Sequence, residues 1–165
     1  MKILTAAALI AAIAVAGCST KEEPKPDPNA NANTNVNNTG PAPDSVEYFT
    51  QVVGNRVFFA TDQYDLDSQA VATLDRQAEW LSANAGTTVT IEGHADERGT
   101  RQYNLALGAR RANAVRQYLI GRGIESGRVR AVTFGKERPE AVCSDDSCWS
   151  QNRRAITAVT GAPGS

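Results

Sequence analysis

The chain has 165 residues, which leaves room for one ordinary domain once any processed or unstructured part is set aside. Its 17 basic and 18 acidic side chains almost cancel, and the formal charge of -1 excludes a net field that would attract nucleic acid or anionic lipid. A binding site for a charged ligand must therefore be local, and no nucleic-acid partner is expected.

The N-terminus has the pattern of an export signal. The apolar run 3–16 is too short to cross a bilayer core, which needs about 20 apolar residues, so residues 1–17 are predicted to be a cleaved signal peptide. The VAGC sequence ending at Cys18 resembles the bacterial lipobox, which implies that Cys18 carries acyl chains, palmitate among them. Ser19 resembles the signal for sorting to the outer membrane. The alternative is an ordinary signal peptide in which Cys18 has no special role.

Residues 18–43 are predicted to be the lipidated N-terminus and a disordered tether. From Lys21 to Pro43 the composition shifts to Pro, Asn, Ala and Thr, and Val36 is the one bulky apolar residue. Such a segment cannot bury enough apolar surface to fold. As a flexible chain it would have an r.m.s. span of about 25 to 30 Å.

Residues 44–165 are predicted to form one domain of the α/β class. Asp44, with Glu47 three positions later, is typical of the cap of a short helix through Val53. The hydrophobic periodicity then predicts strand 56–59, helix 69–84, strand 87–92, helix 102–119, strand 128–134 and strand 154–159. Long helices between strands indicate a two-layer α/β sandwich of about four strands, with the two long helices on one face of the sheet.

Two cysteines remain if Cys18 is lipidated. Cys143 and Cys148 are separated by four residues, and disulfides persist in an oxidising periplasm, so we predict that these two pair. The alternative is a redox or metal-binding pair. The spacing is not Cys-x-x-Cys and the one histidine is distant in sequence, so this alternative is weak.

The loop of residues 93–100, GHADERGT, joins the end of a predicted strand to the start of a predicted helix. α/β proteins commonly bind ligands at this position, where strand ends and helix N-termini meet. The loop carries His94, Asp96, Glu97 and Arg98, polar side chains that could hold a ligand. We therefore expect the functional site here.

A longer motif makes this expectation specific. GHADERGTRQYNLALGARRANAVRQYL, residues 93–119, resembles the OmpA-like peptidoglycan-binding domain family. Further matching motifs are VFF at 57–59 with Asp62 shortly after it, GKERP at 135–139 and NRR at 152–154. GHADERGT together with the lipobox resembles the lipid-anchored members of the family that belong to the Tol-Pal system.

The resemblance implies a binding protein for the meso-diaminopimelate of peptidoglycan. The free end of that residue carries an ammonium and a carboxylate, which an acid and a fork-shaped base can bind together. Asp96 and Arg111 match the family positions for these two roles, and Asn104 is expected to orient the loop or the ligand. Backbone amides near Thr61 and Asp62 could complete the carboxylate site. Arg98 is a secondary candidate for ligand binding.

Each of these residues also has a purely structural interpretation. Asp96 could serve a helix terminus, Arg110 or Arg111 could belong to a solvated helix face, and Asn104 could tie a loop. The run 152–154 is expected to brace the sheet and helices without touching the ligand. Trp80 and Trp149 are expected to fill the core or its rim.

The resemblance also implies partners and a cellular role. Peptidoglycan, TolB and TolA are the expected partners, and the expected role is a link between the outer membrane and the cell wall that supports membrane invagination at division. One alternative is a family member outside the Tol system. The other is a cell-wall hydrolase that uses His94, Asp96 and Glu97. The sequence has no second histidine and no hydrolase motif, so no enzyme activity, cofactor or metal is expected.

Overall fold

The computed structural model describes residues 40–161. The predicted signal peptide 1–17, the lipidated Cys18 and the tether up to residue 39 lie outside the described residues. Among residues 40–161, no helix combines the length and apolar character needed to cross a membrane.

The described residues form four helices and four strands in alternating order. Helix α1 (Val46–Tyr48) continues into a π-helical turn (Phe49–Gly54), and strand β1 (Arg56–Phe58), helix α2 (Ser68–Ala83), strand β2 (Thr88–His94) and helix α3 (Arg101–Gly121) follow. A 3-10 turn (Ser126–Arg128), strand β3 (Val129–Gly135), helix α4 (Asp146–Asn152) and strand β4 (Arg154–Gly161) complete the domain.

The four strands form one mixed sheet in the order β1-β4-β2-β3. Strands β2 and β3 are parallel because α3 crosses between them, whereas β4 is antiparallel to both β1 and β2. Apolar residues of the sheet and of both long helices form a single buried cluster. The predicted fold class, an α/β sandwich with two long helices, is confirmed.

Two glycines allow α3 to lie directly on β2. A β-carbon on Gly93 would come within 1.9 Å of the Gly108 carbonyl oxygen, and one on Gly108 would come within 2.5 Å of the Thr133 hydroxyl. Only glycine permits so close a backbone approach. The contact fixes α3, which carries Arg111, against the end of β2, and Asp96 lies in the loop that follows β2.

The structure corrects several predicted boundaries. Ser45, and not Asp44, caps the first helix, because its hydroxyl accepts the Tyr48 amide at 3.1 Å. Asp67 caps α2, with its carboxylate 2.7 Å from the Ala70 amide. Strand β2 extends through Gly93 and His94, two residues that the sequence analysis assigns to the loop.

Helix α4 is an addition to the predicted elements. It follows a turn closed by the predicted disulfide between Cys143 and Cys148, whose Cα atoms are 5.6 Å apart. Asp145 caps the helix through the Ser147 amide at 2.8 Å. The seven residues of α4 are mostly polar, so no hydrophobic period indicates a helix in the sequence.

Candidate ligand-binding site

An open cleft of about 330 Å³ lies where β2 ends and α3 begins. It is formed by the loop after β1, the loop after β2 and the first turns of α3. Its lining comprises Thr61, Asp62, Asp96, Arg98, Gly99, Tyr103, Asn104, Leu107 and Arg111. The fold therefore brings together all six residues that the sequence analysis proposes for ligand binding.

A larger groove of about 480 Å³ lies beside Trp80, near the C-terminal end of α2. Its exposed lining is mostly apolar, and its charged residues are Asp44, Arg76 and Glu79. The cleft at the end of β2 is smaller, but it joins buried acidic and basic groups. Such convergent polar groups are better suited to a small charged ligand than an apolar groove is.

The loop that carries Asp96 is held by side chains on both sides. Asn104 donates its amide hydrogens to the carbonyl oxygens of Asp96 and Arg98, at 3.2 and 2.7 Å. Lys136 donates to the carbonyls of Glu97 and Gly99, at 3.1 and 2.8 Å. In this structure Asn104 orients the loop, which is one of the two roles expected for it.

Asp96 is almost completely buried, with 8% of its surface exposed. One carboxylate oxygen accepts the Arg98 amide at 3.2 Å, and the other lies 2.6 Å from Nη2 of Arg98 and 3.5 Å from Nη1 of Arg153. Burial alone would raise the pKa of Asp96, but the hydrogen bonds and charge of Arg98 lower it below its ordinary value. The carboxyl group is therefore ionised at neutral pH.

Arg111 is fully buried at the back of the cleft. Its Nε, Nη1 and Nη2 atoms donate to the backbone carbonyls of Gln63, His94 and Ala60, at 2.8, 2.8 and 3.2 Å. Burial lowers its pKa to about 10, so it stays charged at neutral pH. A guanidinium has five N–H donors, and these bonds leave two available among the described contacts. The structure excludes the solvated-face interpretation of Arg111.

The loop after β1 closes the mouth of the cleft. Asp62 has a positive φ of 62°, a left-handed conformation that is uncommon outside glycine. The Tyr103 hydroxyl donates to the Asp62 carboxylate, and Arg98 Nη2 lies 3.4 Å from the Thr61 hydroxyl. These contacts connect the loop after β1 to the loop after β2 and to α3.

The side chain of His94, a residue considered above for hydrolysis, is buried. Burial and then the charge of Arg154 lower its pKa to about 4, so its ring is neutral. Neither ring nitrogen has a hydrogen-bond partner. No group of three His, Cys, Asp or Glu side chains within residues 40–161 could hold a metal ion.

Comparison with known proteins places this site in a family. Residues 58–154 match the OmpA family, and this range contains the cleft. A peptidoglycan-associated lipoprotein of Rhizobium meliloti is 53% identical over 94% of this chain and 86% of its own length. A protein of the same name from Brucella melitensis is 48% identical over 95% of this chain and 92% of its own length. The chain belongs to the OmpA family, among its peptidoglycan-associated lipoproteins.

Two solved structures share the fold of this domain. The peptidoglycan-associated lipoprotein of Burkholderia pseudomallei superposes with a TM-score of 0.63 at 40% identity, covering 64% of this chain and 90% of that one. The C-terminal domain of Helicobacter pylori MotB superposes with a TM-score of 0.61 at 16% identity and covers 66% of this chain and 86% of that one, which shows the shared fold alone.

The OmpA family assignment also excludes the hydrolase interpretation. The relatives described above are named peptidoglycan-associated lipoproteins and not hydrolases, and the chain is not an enzyme. Glu97, one of the three residues considered for hydrolysis, accepts a hydrogen bond from Asn152 and lies outside the cleft lining.

Three residues at the site were missed or undervalued by the sequence analysis. Arg153, expected only to brace the sheet, contacts the Asp96 carboxylate and also donates to the Phe59 carbonyl at 3.1 Å. Trp149 lies against the Arg98 guanidinium, whose central carbon is 4.3 Å from the ring centroid. Tyr103 binds Asp62 from α3. These contacts join residues far apart in sequence, so no local pattern indicates them.

Proposed function

We propose that the domain binds peptidoglycan non-covalently through the free end of meso-diaminopimelate, in the cleft between β2 and α3. The observation that carries this proposal is the placement of a buried, ionised Asp96 and a buried, charged Arg111 in the lining of one small cleft. The relatives named peptidoglycan-associated lipoproteins support the same ligand class.

The charges of the cleft complement a zwitterion. The ligand ammonium would bind Asp96, whose carboxylate has acceptor capacity beyond the contacts it already makes. The ligand carboxylate would bind the remaining N–H groups of Arg111 and the Arg98 guanidinium, with backbone amides at Thr61 and Asp62 completing its environment. Charge-assisted hydrogen bonds of this kind contribute about 1.5 to 3 kcal/mol each.

A single site of this size would bind modestly. The proposed lipid anchor and tether raise its effective concentration near an abundant polymer, so many weak contacts would act together. The attachment of the membrane to the cell wall would then be strong overall and reversible at each individual site.

The test is retention of the full chain, solubilised in detergent, on purified cell-wall sacculi. Asp96→Asn removes the charge and keeps the shape, and it should reduce retention about tenfold or more, because one charge-assisted contact is lost. Free meso-diaminopimelate should compete with the unaltered chain. Asp75→Asn is the matched control, since Asp75 lies on α2 and pairs with Arg122 outside the cleft. Equal retention of the two variants would disprove the site assignment.

We further propose that Cys18 anchors the mature chain in the outer membrane, with 1–17 removed, 18–43 as the tether and 44–165 facing the periplasm. The support is the lipobox in the sequence and the word lipoprotein in the names of the relatives. Incorporation of labelled palmitate in cells should disappear in Cys18→Ser. Labelling that persists in that variant would disprove lipidation at Cys18.

The Tol-Pal role is proposed on family membership alone. TolB and TolA would be the protein partners, and the chain would maintain outer-membrane integrity and draw that membrane inward at division. The discriminating experiment is co-purification of the chain with TolB from the native organism. A chain that binds sacculi but never TolB would be a family member outside the Tol system.

A further inference from the structure

The Asp96 carboxylate is held by two arginines, and each arginine is itself held by a residue of α4. Arg98 lies on the Trp149 ring, with 4.3 Å between the guanidinium carbon and the ring centroid. Arg153 donates from Nη1 to Asp146 at 3.1 Å as well as to Asp96 at 3.5 Å. The short helix α4 therefore contacts the ligand site indirectly, through both cations that pair with Asp96.

The disulfide fixes the start of this helix. Cys148 lies within α4, immediately before Trp149, and its partner Cys143 lies in the preceding turn. Asp145 caps α4 between the two cysteines and accepts the Ser147 amide at 2.8 Å. A seven-residue helix is too short to be stable by itself, so the cross-link and the cap hold it in place.

A second contact connects the same segment to the ligand-binding loop. The Asn152 side chain, at the end of α4, accepts the amides of Glu140 and Ala141, at 2.7 and 3.1 Å. It also donates to the Ala141 carbonyl at 2.8 Å and to the Glu97 carboxylate. Glu97 is the residue after Asp96, so both ends of α4 are tied to the site.

We propose that Trp149, held by the Cys143–Cys148 disulfide, is a positioning residue that sets the affinity and the carboxylate selectivity of the cleft through Arg98. This inference rests on the proposed zwitterion site. An arginine side chain that is 41% exposed loses considerable conformational entropy when it is held in one geometry. The Trp149 face reduces that loss because it confines the guanidinium before a ligand arrives.

The role of Arg98 determines which ligands are affected. Arg98 bridges Asp96 and the Thr61 hydroxyl at the mouth of the cleft, whereas the Arg111 guanidinium donates to three backbone carbonyls. A confined Arg98 therefore favours a ligand that carries a carboxylate beside its ammonium. A ligand with an ammonium alone gains nothing from the confinement.

The experiment measures binding of two stem tripeptides to the full chain by calorimetry, one ending in meso-diaminopimelate and one in lysine. Trp149→Ala should weaken the diaminopimelate peptide roughly three- to tenfold, as expected for loss of a cation–π contact, and should leave the lysine peptide unchanged. Trp149→Tyr should restore binding to within about twofold, because a second aromatic face replaces the first.

Reduction tests the part played by the disulfide. Dithiothreitol transfers two electrons and two protons to the bond, leaving two thiols and its own cyclic disulfide. Reduced wild-type chain should resemble Trp149→Ala, and reductant should have no further effect on Trp149→Ala itself. The Cys143→Ser/Cys148→Ser variant should bind weakly with or without reductant.

Arg138→Ala is the matched control. It removes a comparable contact, that of Arg138 with the Phe134 ring at 3.7 Å, away from the cleft, and should leave both affinities unchanged. Equal weakening of both tripeptides by Trp149→Ala would overturn the inference, because it would show a general loss of structure. Unchanged binding of the diaminopimelate peptide would overturn it as well.

Titration of Asp96 by carbon NMR without ligand separates this inference from the proposed function. If the wild-type chain binds neither tripeptide, the proposed function fails and the selectivity role fails with it. The positioning of Arg98 is still measured, because its hydrogen bond lowers the Asp96 pKa. That pKa should rise in Trp149→Ala and on reduction, and an unchanged pKa in both would overturn the positioning role.

Discussion

The two sides of the candidate ligand cleft are built by different physical means. The inner wall, Asn104 and Arg111, is 1% and 0% exposed and donates to backbone carbonyls. The outer wall, Arg98 and Trp149, is partly exposed and its contacts run between side chains. One side completes the hydrogen bonds of the fold, and the other is held by a cation–π contact and by an ion pair that is exposed on the Arg98 side only.

This difference separates stability from selectivity. Buried donors that satisfy backbone carbonyls cannot be removed without leaving polar groups unpaired, so inner-wall changes should act on folding. Exposed ion pairs contribute little to folding, so outer-wall changes should act on the ligand. Substitutions in the outer wall can therefore change ligand recognition with little loss of folding stability.

The largest expected effect is on the inner wall. Arg111→Ala should lower the free energy of unfolding by about 3 to 5 kcal/mol, since three buried carbonyls lose their donor and a cavity opens. Urea unfolding of the full chain measures this. Arg110→Ala, at the exposed preceding residue of the same helix, should change it by less than about 0.5 kcal/mol. Similar values for the two variants would contradict the difference between the walls.

The second largest effect is expected on the pH dependence of stability. The His94 ring is buried, and the backbone carbonyl of His94 accepts a hydrogen bond from Arg111. The folded-state pKa is about 4, below the ordinary value of 6.5. Between those values the unfolded chain takes up a proton that the folded chain excludes, so the free energy of unfolding should fall as pH falls from about 6.5 to about 4.

Proton NMR of the chain's only histidine gives the pKa directly. His94→Phe should remove the decline over that pH range. The lowered pKa of Asp96 gives a separate contribution, present above its unfolded value and lost only as pH falls through its folded value. A histidine that titrates near 6.5 would show that the His94 ring is more open to solvent than the structure has it.

The smallest effect on stability is expected at the outer wall. Arg98→Ala should lower the free energy of unfolding by less than about 1 kcal/mol, because the pair with Asp96 is partly exposed on the arginine side. Binding of sacculi should nevertheless weaken. Arg101→Ala, which removes a more exposed pair with Glu137, is the control and should leave binding unchanged. A large loss of stability in Arg98→Ala would show that Arg98 contributes to folding as the inner-wall residues do.

The regular elements were predictable because each has a strong local signal. Alternation in Val89 and Ile91 indicates β2, and the apolar face of Leu74, Ala78 and Leu81 indicates α2. The disulfide followed from the count and spacing of cysteines. By contrast, Ser45 replaces Asp44 as the first cap because the two neighbours are both capping residues, and tertiary packing decides between them.

The meeting of the candidate residues in one cleft was predictable from the sequence, but the contacts between them were not. The family motif located Asp96, Asn104 and Arg111, and the cleft contains all three. It gave no sign that Arg111 is wholly buried, because a charged residue on a helix is usually solvated. Contacts such as Arg153 with Asp96 span 57 positions and depend on the packing of α4. Helix α4 itself lacks a periodic apolar face, so neither it nor its contacts could be anticipated.

The hydrogen bond from the Trp80 ring to the Pro43 carbonyl, 2.7 Å long, determines how the domain would carry a mechanical load. It fixes the point where the proposed tether meets the domain, beside the C-terminal end of α2, while the ligand cleft lies past the C-terminal end of β2. Along the chain, a pull on the tether would reach this contact and helix α1 first, and then β1, an edge strand that pairs with β4 alone. One hydrogen bond contributes only about 1 kcal/mol, so the segment before β1 would yield under tension before the ladder hydrogen bonds of the inner strands are loaded.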